Sequence, residues 1–238
     1  MGLFFAMAIA AMQEASPAPM NVPVIGQGVT ATAVANDSPD SARIDEAFRI
    51  IRAGRPAEAI PILDSITMRL EKLYAGEKRQ IFSSSSLKES FVYAALSAKT
   101  NKDSLVLDEN WGMAHFLKGF ALIDLGRAEE AKVQLDRAIA LAPVNAQFLA
   151  ERAEWHKSRK DWTKAIVDFE AASRAAEFSP DAAQNSHKAR ALRGIGFVKI
   201  ELGDLKEAEK LFKQSLKIDP DSANARQELE YIKSLKRN

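Results

Sequence analysis

From Ser41 to the C-terminus apolar residues return every three or four positions, the spacing of an α-helix with one buried face. The runs come in pairs: about 41–53 with 56–74, 111–125 with 128–141, 146–159 with 162–176, and 184–202 with 205–217. Gly54, Gly126 and Gly203 break the first, second and fourth pairs, and Asp161 and Asp204 precede second helices as caps. Pro143 and Pro220 close their pairs. A last amphipathic run, about 222–236, carries Ala225, Leu229, Ile232 and Leu235 on one face and reads as a capping helix. Between 75 and 110 the pattern degrades. Leu87 to Lys99 is a helix with Phe91, Ala94, Ala95 and Ala98 on one face, and its expected partner shrinks to about 103–107. Ser83 to Ser86 reads as a loop or an N-cap.

The pairs repeat one another. Gly119, Gly126, Ala131, Leu135 and Pro143 recur as Gly196, Gly203, Ala208, Phe212 and Pro220, each 77 residues later, while Ala131 recurs as Ala165 after 34. Two periods of 34 plus a nine-residue insertion, placed around Phe178 to Pro180, account for the 77. Ala47, Gly54, Ala59 and Leu63 keep the same mutual spacing and form a further copy. Small residues let two helices approach, and large ones such as Leu135, Phe169 and Phe212 fill the space opposite. One pair cannot bury its own apolar surface, but stacked pairs can. The predicted fold is therefore an all-α solenoid, with pairs at about 41–74, 111–143, 146–176 and 184–220, a degenerate repeat at 75–110 and a cap at 222–236.

This arrangement resembles the tetratricopeptide repeat family over about residues 41–220, most closely in the last three pairs. His115 and Leu149 stand where the family favours Trp, and Arg152 where it favours Leu. The resemblance implies a right-handed superhelix in which the first helix of each pair lines a concave groove. Mapped onto this chain, the inward positions are Ile44, Phe48 and Ile51; Met113, Phe116, Phe120 and Ile123; Gln147, Ala150, Glu154 and Lys157; and Arg190, Arg193, Phe197 and Ile200. Such a groove would be apolar toward its N-terminal part and basic toward its C-terminal part. The expected occupant is an apolar protein or peptide segment along Phe116, Phe120 and Phe197, with an acidic group meeting Arg190 or Arg193. The alternative is that these aromatics pack on neighbouring helices or on residues 20–36. Some family members clamp a peptide carboxylate with Lys, Asn and Arg; Phe116 and Phe120 take the corresponding slots here, so that use is not expected.

Composition narrows the chemistry. The chain of 238 residues has 33 Lys and Arg against 32 Asp and Glu, so no global field draws nucleic acid, and none is expected as a partner. Between Lys188 and Arg237 there are 12 basic and 8 acidic residues, but they alternate three or four apart as on a solvated helix. Zero cysteines exclude disulfides and thiolate chemistry. His115, His156 and His187 lack the repeating ligand spacing of a metal site, no phosphate-binding glycine loop is present, and Gly194-Ile195-Gly196 falls mid-helix where it makes room for packing. No catalytic residue, metal or cofactor is expected.

Residues 1–40 stand apart. Leu3 to Met12 is an unbroken apolar run with Ala8-Ile9-Ala10 as a small-x-small cleavage pattern, followed by a stretch rich in Pro and Gly. It reads as a secretory signal and flexible linker, although no Lys or Arg precedes Arg43; an ordinary N-terminal extension is the alternative. It is far below the roughly 20 residues of a membrane span. The resulting expectation is a non-catalytic scaffold or adaptor, exported to the periplasm or envelope. The alternatives are a chaperone-like subunit of a secretion or envelope-assembly machine, or a cytosolic regulatory adaptor.

Overall fold

The computed structural model describes residues 29–31 and 39–237, with side chains from Asp40 onward. The apolar run at 3–12, its cleavage pattern and residues 20–28 lie outside them. The elements run β1 (Val29–Ala31), α1 (Pro39–Arg52), α2 (Pro56–Leu73), β2 (Gln80–Ser83), α3 (Leu87–Thr100), β3 (Ser104–Leu107), α4 (Asn110–Asp124), α5 (Ala128–Leu141), α6 (Ala146–Ser158), α7 (Trp162–Ala175), a 3-10 turn (Ala176–Phe178), α8 (Asp181–Glu201), α9 (Leu205–Ile218) and α10 (Ala223–Leu235). They form two compact units whose boundary falls inside α6, after Phe148.

In the N-terminal unit α1 packs on α2, α2 on α4, and α4 on α5. The turns within the helix pairs share one construction. Gly54 and Gly126 adopt φ of 75° and 74°, and each donates its N–H to a carbonyl three residues back, Ile51 and Ile123, at 2.9 Å. Only glycine takes that left-handed conformation without steric cost. Ala47, Ala59, Leu63, Ala131, Leu135 and Ala138 are fully buried. A Cβ on Gly119 would come within 3.1 Å of the Leu135 side chain, so the glycine sets the approach of α4 to α5.

The segment 75–110 corrects the sequence reading. Residues 104–107 are not a shortened helix but strand β3, central in a parallel sheet of order β1-β3-β2. Four residues are too few to repay helix nucleation. Ser104, Leu105, Val106 and Leu107 are all buried, and pairing on both sides satisfies a backbone that a helix that short would leave open. Parallel strands need a crossover, and α3 supplies it between β2 and β3. The serine run is split. Ser83 belongs to β2, accepting the Gly112 N–H at 3.1 Å and donating to the Asp108 carbonyl at 2.7 Å, while Ser86 caps α3 by accepting the Glu89 N–H at 3.1 Å.

The C-terminal unit repeats the pair geometry. α7 packs on α8, α8 on α9 and α9 on α10. Gly203 has φ of 78°, and a Cβ on Gly196 would lie 2.9 Å from the Phe212 ring. Gly194 faces Phe169 even more closely, and any Cβ there would overlap the ring. Lys160 takes the left-handed turn position between α6 and α7, with φ of 59°. Ile200, Ala208, Phe212, Ala225 and Ile232 form one buried cluster, and Leu205, Leu216, Leu229 and Leu235 pack around it.

Candidate functional site

In the C-terminal unit Arg190, Arg193 and Phe197 lie on one face of α8, at spacings of three and four. Glu151 of α6, with no exposed surface, accepts from the Arg190 Nη2 at 2.8 Å. Burial raises the Glu151 carboxyl, and the Arg190 charge opposes that rise. Only one guanidinium nitrogen of Arg190 makes that bond, and its side chain retains 19% exposure, so the planar fork stays partly accessible. Arg193 Nη1 meets the half-exposed Asp219 carboxylate at 2.9 Å. The Phe197 ring is half-buried, with the Lys157 ammonium 4.6 Å from its centroid and Glu154 in turn 2.5 Å from that ammonium. Two arginines, a lysine and one aromatic ring therefore occupy this face, each cation held in place by a carboxylate or a π-face.

His187 stands one turn before Arg190. Its Nδ1 lies 2.9 Å from the Ser179 Oγ, and burial with the Arg190 charge lowers its pKa to about 4, so the ring is neutral at neutral pH. His115 is likewise buried and shifted down by its burial; its Nδ1 lies 2.8 Å from Gln134 Oε1 across the α4–α5 contact. Among the described residues no group of three or more His, Asp or Glu is arranged to hold a metal ion.

In the N-terminal unit the expected groove positions divide by depth. Ile44, Ile51, Phe116 and Phe120 are buried. Phe116 stacks on Phe148 with centroids 4.9 Å apart. Phe48 and Met113 are half-buried, and the Arg52 guanidinium lies 5.9 Å from the Phe48 centroid. The reachable members of the set are thus Phe48, Met113, Ile123 and Gln147 in this unit, and Glu154, Lys157, Arg190, Arg193 and Phe197 in the other.

Two features escaped the sequence reading. Glu151 and Asp219 anchor the arginines, yet nothing in their local pattern separates them from solvated helix carboxylates. The outward face of α3 was also missed: Leu87, Phe91, Ala95, Leu96 and Ala98 are exposed, while Glu89, Tyr93 and Ser97 form the buried stripe. Polar residues at four-residue spacing across from an apolar stripe were the available signal, and it pointed inward only under the assumption that apolar means core.

The fold defines an all-α helical-repeat protein. Tetratricopeptide repeats are recognised at residues 114–145 and again at 144–221, so the chain carries tetratricopeptide repeats across that stretch. No curated protein matches the sequence significantly. Among solved structures, PilF of Pseudomonas aeruginosa superposes with a TM-score of 0.60 at 15% identity, over 85% of this chain and 71% of that one. MamA from Desulfovibrio magneticus RS-1 superposes with 0.53 at 17% identity, over 85% and 88%. At these identities the likeness is one of fold.

Proposed function

We propose that this protein is a non-catalytic scaffold or adaptor that holds a segment of another protein, and that the α8 face of the C-terminal unit makes the decisive contact. The observation that carries the reading is the half-buried Phe197 ring beside Lys157, on the same helix face as two carboxylate-anchored arginines. A segment with an apolar side chain over Phe197 and a carboxylate at Arg190 or Arg193 satisfies both halves of that face. Glu151 pre-orients Arg190, so little ordering entropy remains for binding to spend. Phe48 and Met113 offer the N-terminal unit's apolar contact, while Ile44, Phe116 and Phe120 are buried in its core.

The apolar run at 3–12 supports export to the envelope as the setting. N-terminal sequencing of the protein recovered from its native cells should then begin at about Ala11, after the small-x-small pattern.

The binding reading is tested by crosslinking capture from the native cell with wild type, Phe197→Glu, and the control Val167→Glu, whose site on α7 is exposed. Circular dichroism first establishes equal helix content. Capture of a defined protein by wild type and the control, with loss by Phe197→Glu, supports the α8 face. Equal capture by all three moves the function to another surface.

A further inference from the structure

α3 is built inside out relative to every other helix of the N-terminal unit. Its buried stripe is Glu89, Tyr93 and Ser97, which faces the sheet; Tyr93 stacks on Phe82 of β2 with centroids 4.8 Å apart. Ser97 Oγ donates to the Tyr93 carbonyl at 2.9 Å, and Glu89 accepts from the Ser85 N–H at 2.9 Å and from the Asn145 amide at 3.3 Å. The Ser97 bond lies within α3, so this stripe is tied to the rest of the unit by the Tyr93–Phe82 stack and the Glu89–Asn145 bond. Its outward side carries Leu87 at 36% and Phe91 at 42% exposure on one stripe with Ala95 and Ala98, while Leu96 at 37% lies beyond the exposed Lys88 and Lys99 on the same outward side. From Leu87 to Ala98 this apolar ridge runs about 16 Å, at the α-helical rise per residue.

One end of the ridge is basic. Because β2 and β3 are parallel, with Gln80 opposite Ser104, both strands begin at the end where α3 finishes. Lys78, Arg79, Lys99 and Lys102 therefore gather there against two carboxylates, Glu77 and Asp103. Arg79 is engaged by Glu77 through two contacts of 3.0 and 2.6 Å. Lys78, Arg79, Gln80, Lys102 and Asp103 line an open depression of about 390 Å³.

We propose that the outward face of α3 and this basic end form a peripheral docking surface for an anionic lipid bilayer. The charge pattern selects the occupant. A second copy of the chain is disfavoured: a parallel pairing sets Lys99 and Lys102 against themselves, and an antiparallel one sets Lys88 against Lys99. An acidic protein would need a matching concavity, because what α3 presents is a ridge with most of its circumference outward. A bilayer interface receives Leu and Phe side chains without such a match, and anionic headgroups meet the lysines at the ridge end. The surface belongs to the N-terminal unit, and it stands or falls independently of the scaffold reading.

The absence of cysteine makes the test direct. Full-length Ala95→Cys carries a single thiol on the ridge, which is labelled with an environment-sensitive dye. It is mixed with vesicles of phosphatidylglycerol and phosphatidylcholine, or of phosphatidylcholine alone. The expected result is a blue-shifted, brighter dye and co-sedimentation with the anionic vesicles, weakened by high salt. Phe91→Glu should lower that binding about tenfold, and separately Lys99→Glu with Lys102→Glu should lower it about 25-fold or more, given the roughly fivefold gain expected per basic residue at an anionic surface. Val133→Glu, an exposed position on α5, should leave it unchanged. Phe91→Ser replaces Phe91→Glu if the latter loses helix content. No dye response to anionic vesicles overturns the proposal and leaves the ridge to an acidic protein partner. Undiminished binding by the Phe91 variant, or equal binding to neutral vesicles, also overturns it, by placing attachment elsewhere in the chain.

Discussion

Gly54, Gly126 and Gly203 show how single residues set the repeat. Each adopts a positive φ where a Cβ would be strained, although open space surrounds it, so the requirement is conformational and not steric crowding. Lys160 meets the same demand with a side chain attached. Lys160→Gly should therefore stabilise the C-terminal unit by about 1 kcal/mol, and Gly203→Ala should destabilise it by about as much; the shift of the urea midpoint reads both. An unmoved midpoint in both variants would show that the turn conformation carries no strain.

Arg152 belongs to the same scale. It stands where the family favours Leu, and the structure pairs it with the buried Asp168 through contacts of 2.7 and 2.8 Å. The departure from pattern is thus matched by a partner sixteen residues on, a match that helical periodicity does not expose. A buried pair of this sort adds little net stability while intact, and much is lost if one member goes.

Among the elements, α3 depends most on protonation. Glu89 is fully buried, and its desolvation lifts the pKa to about 7 against the Ser85 hydrogen bonds that oppose the rise. The ordinary value is 4.5, so between about 4.5 and 7 the folded chain keeps a proton that the unfolded chain has released. Stability therefore falls as pH rises through that window, by roughly 1 to 3 kcal/mol from this group. Glu109, pushed up to about 7 by burial and by the charges of Asp108 and Asp45, contributes in the same direction. His187 acts oppositely: with its pKa lowered to about 4, it costs stability as pH falls below 6.5. Thermal melts of wild type and Glu89→Gln across this range check the sign. The variant should lose the Glu89 part of the decline and equal or exceed wild type at the alkaline end. A decline of unchanged size would show that Glu89 does not titrate there.

The chain as a whole has one end that must be covered. Ile232 and Ala225 of α10 close the cluster built by Ile200, Ala208 and Phe212. Ile232 is only 1% exposed and packs within that cluster. Ile232→Ala should cost about 2–4 kcal/mol, and a chain ending at residue 221 should expose the cluster and aggregate. Denaturation midpoints and light scattering measure the two effects. A truncated chain that stays monomeric and cooperative would show that α10 is dispensable as a cap.

What the sequence determined by itself was the repeat: its period, its glycine turns, its small-against-large packing and its all-α class. These follow from local spacing, and a helix face of Ala131, Leu135 and Ala138 must be buried, which stacked helix pairs achieve. The candidate face was legible only in part. The positions Arg190, Arg193 and Phe197 share one helix face by spacing alone. Their anchoring by Glu151 and Asp219, the depth of Phe116 and Phe120, and the three-stranded sheet at 29–31, 80–83 and 104–107 were not legible. Each depends on which residues distant in sequence meet: a buried carboxylate looks like any helix Glu until a cation 39 residues away arrives. The four residues of β3 become a strand because distant segments pair with it on both sides, and the apolar side of α3 is turned outward because Glu89 finds the Asn145 amide and Tyr93 finds the Phe82 ring beneath it.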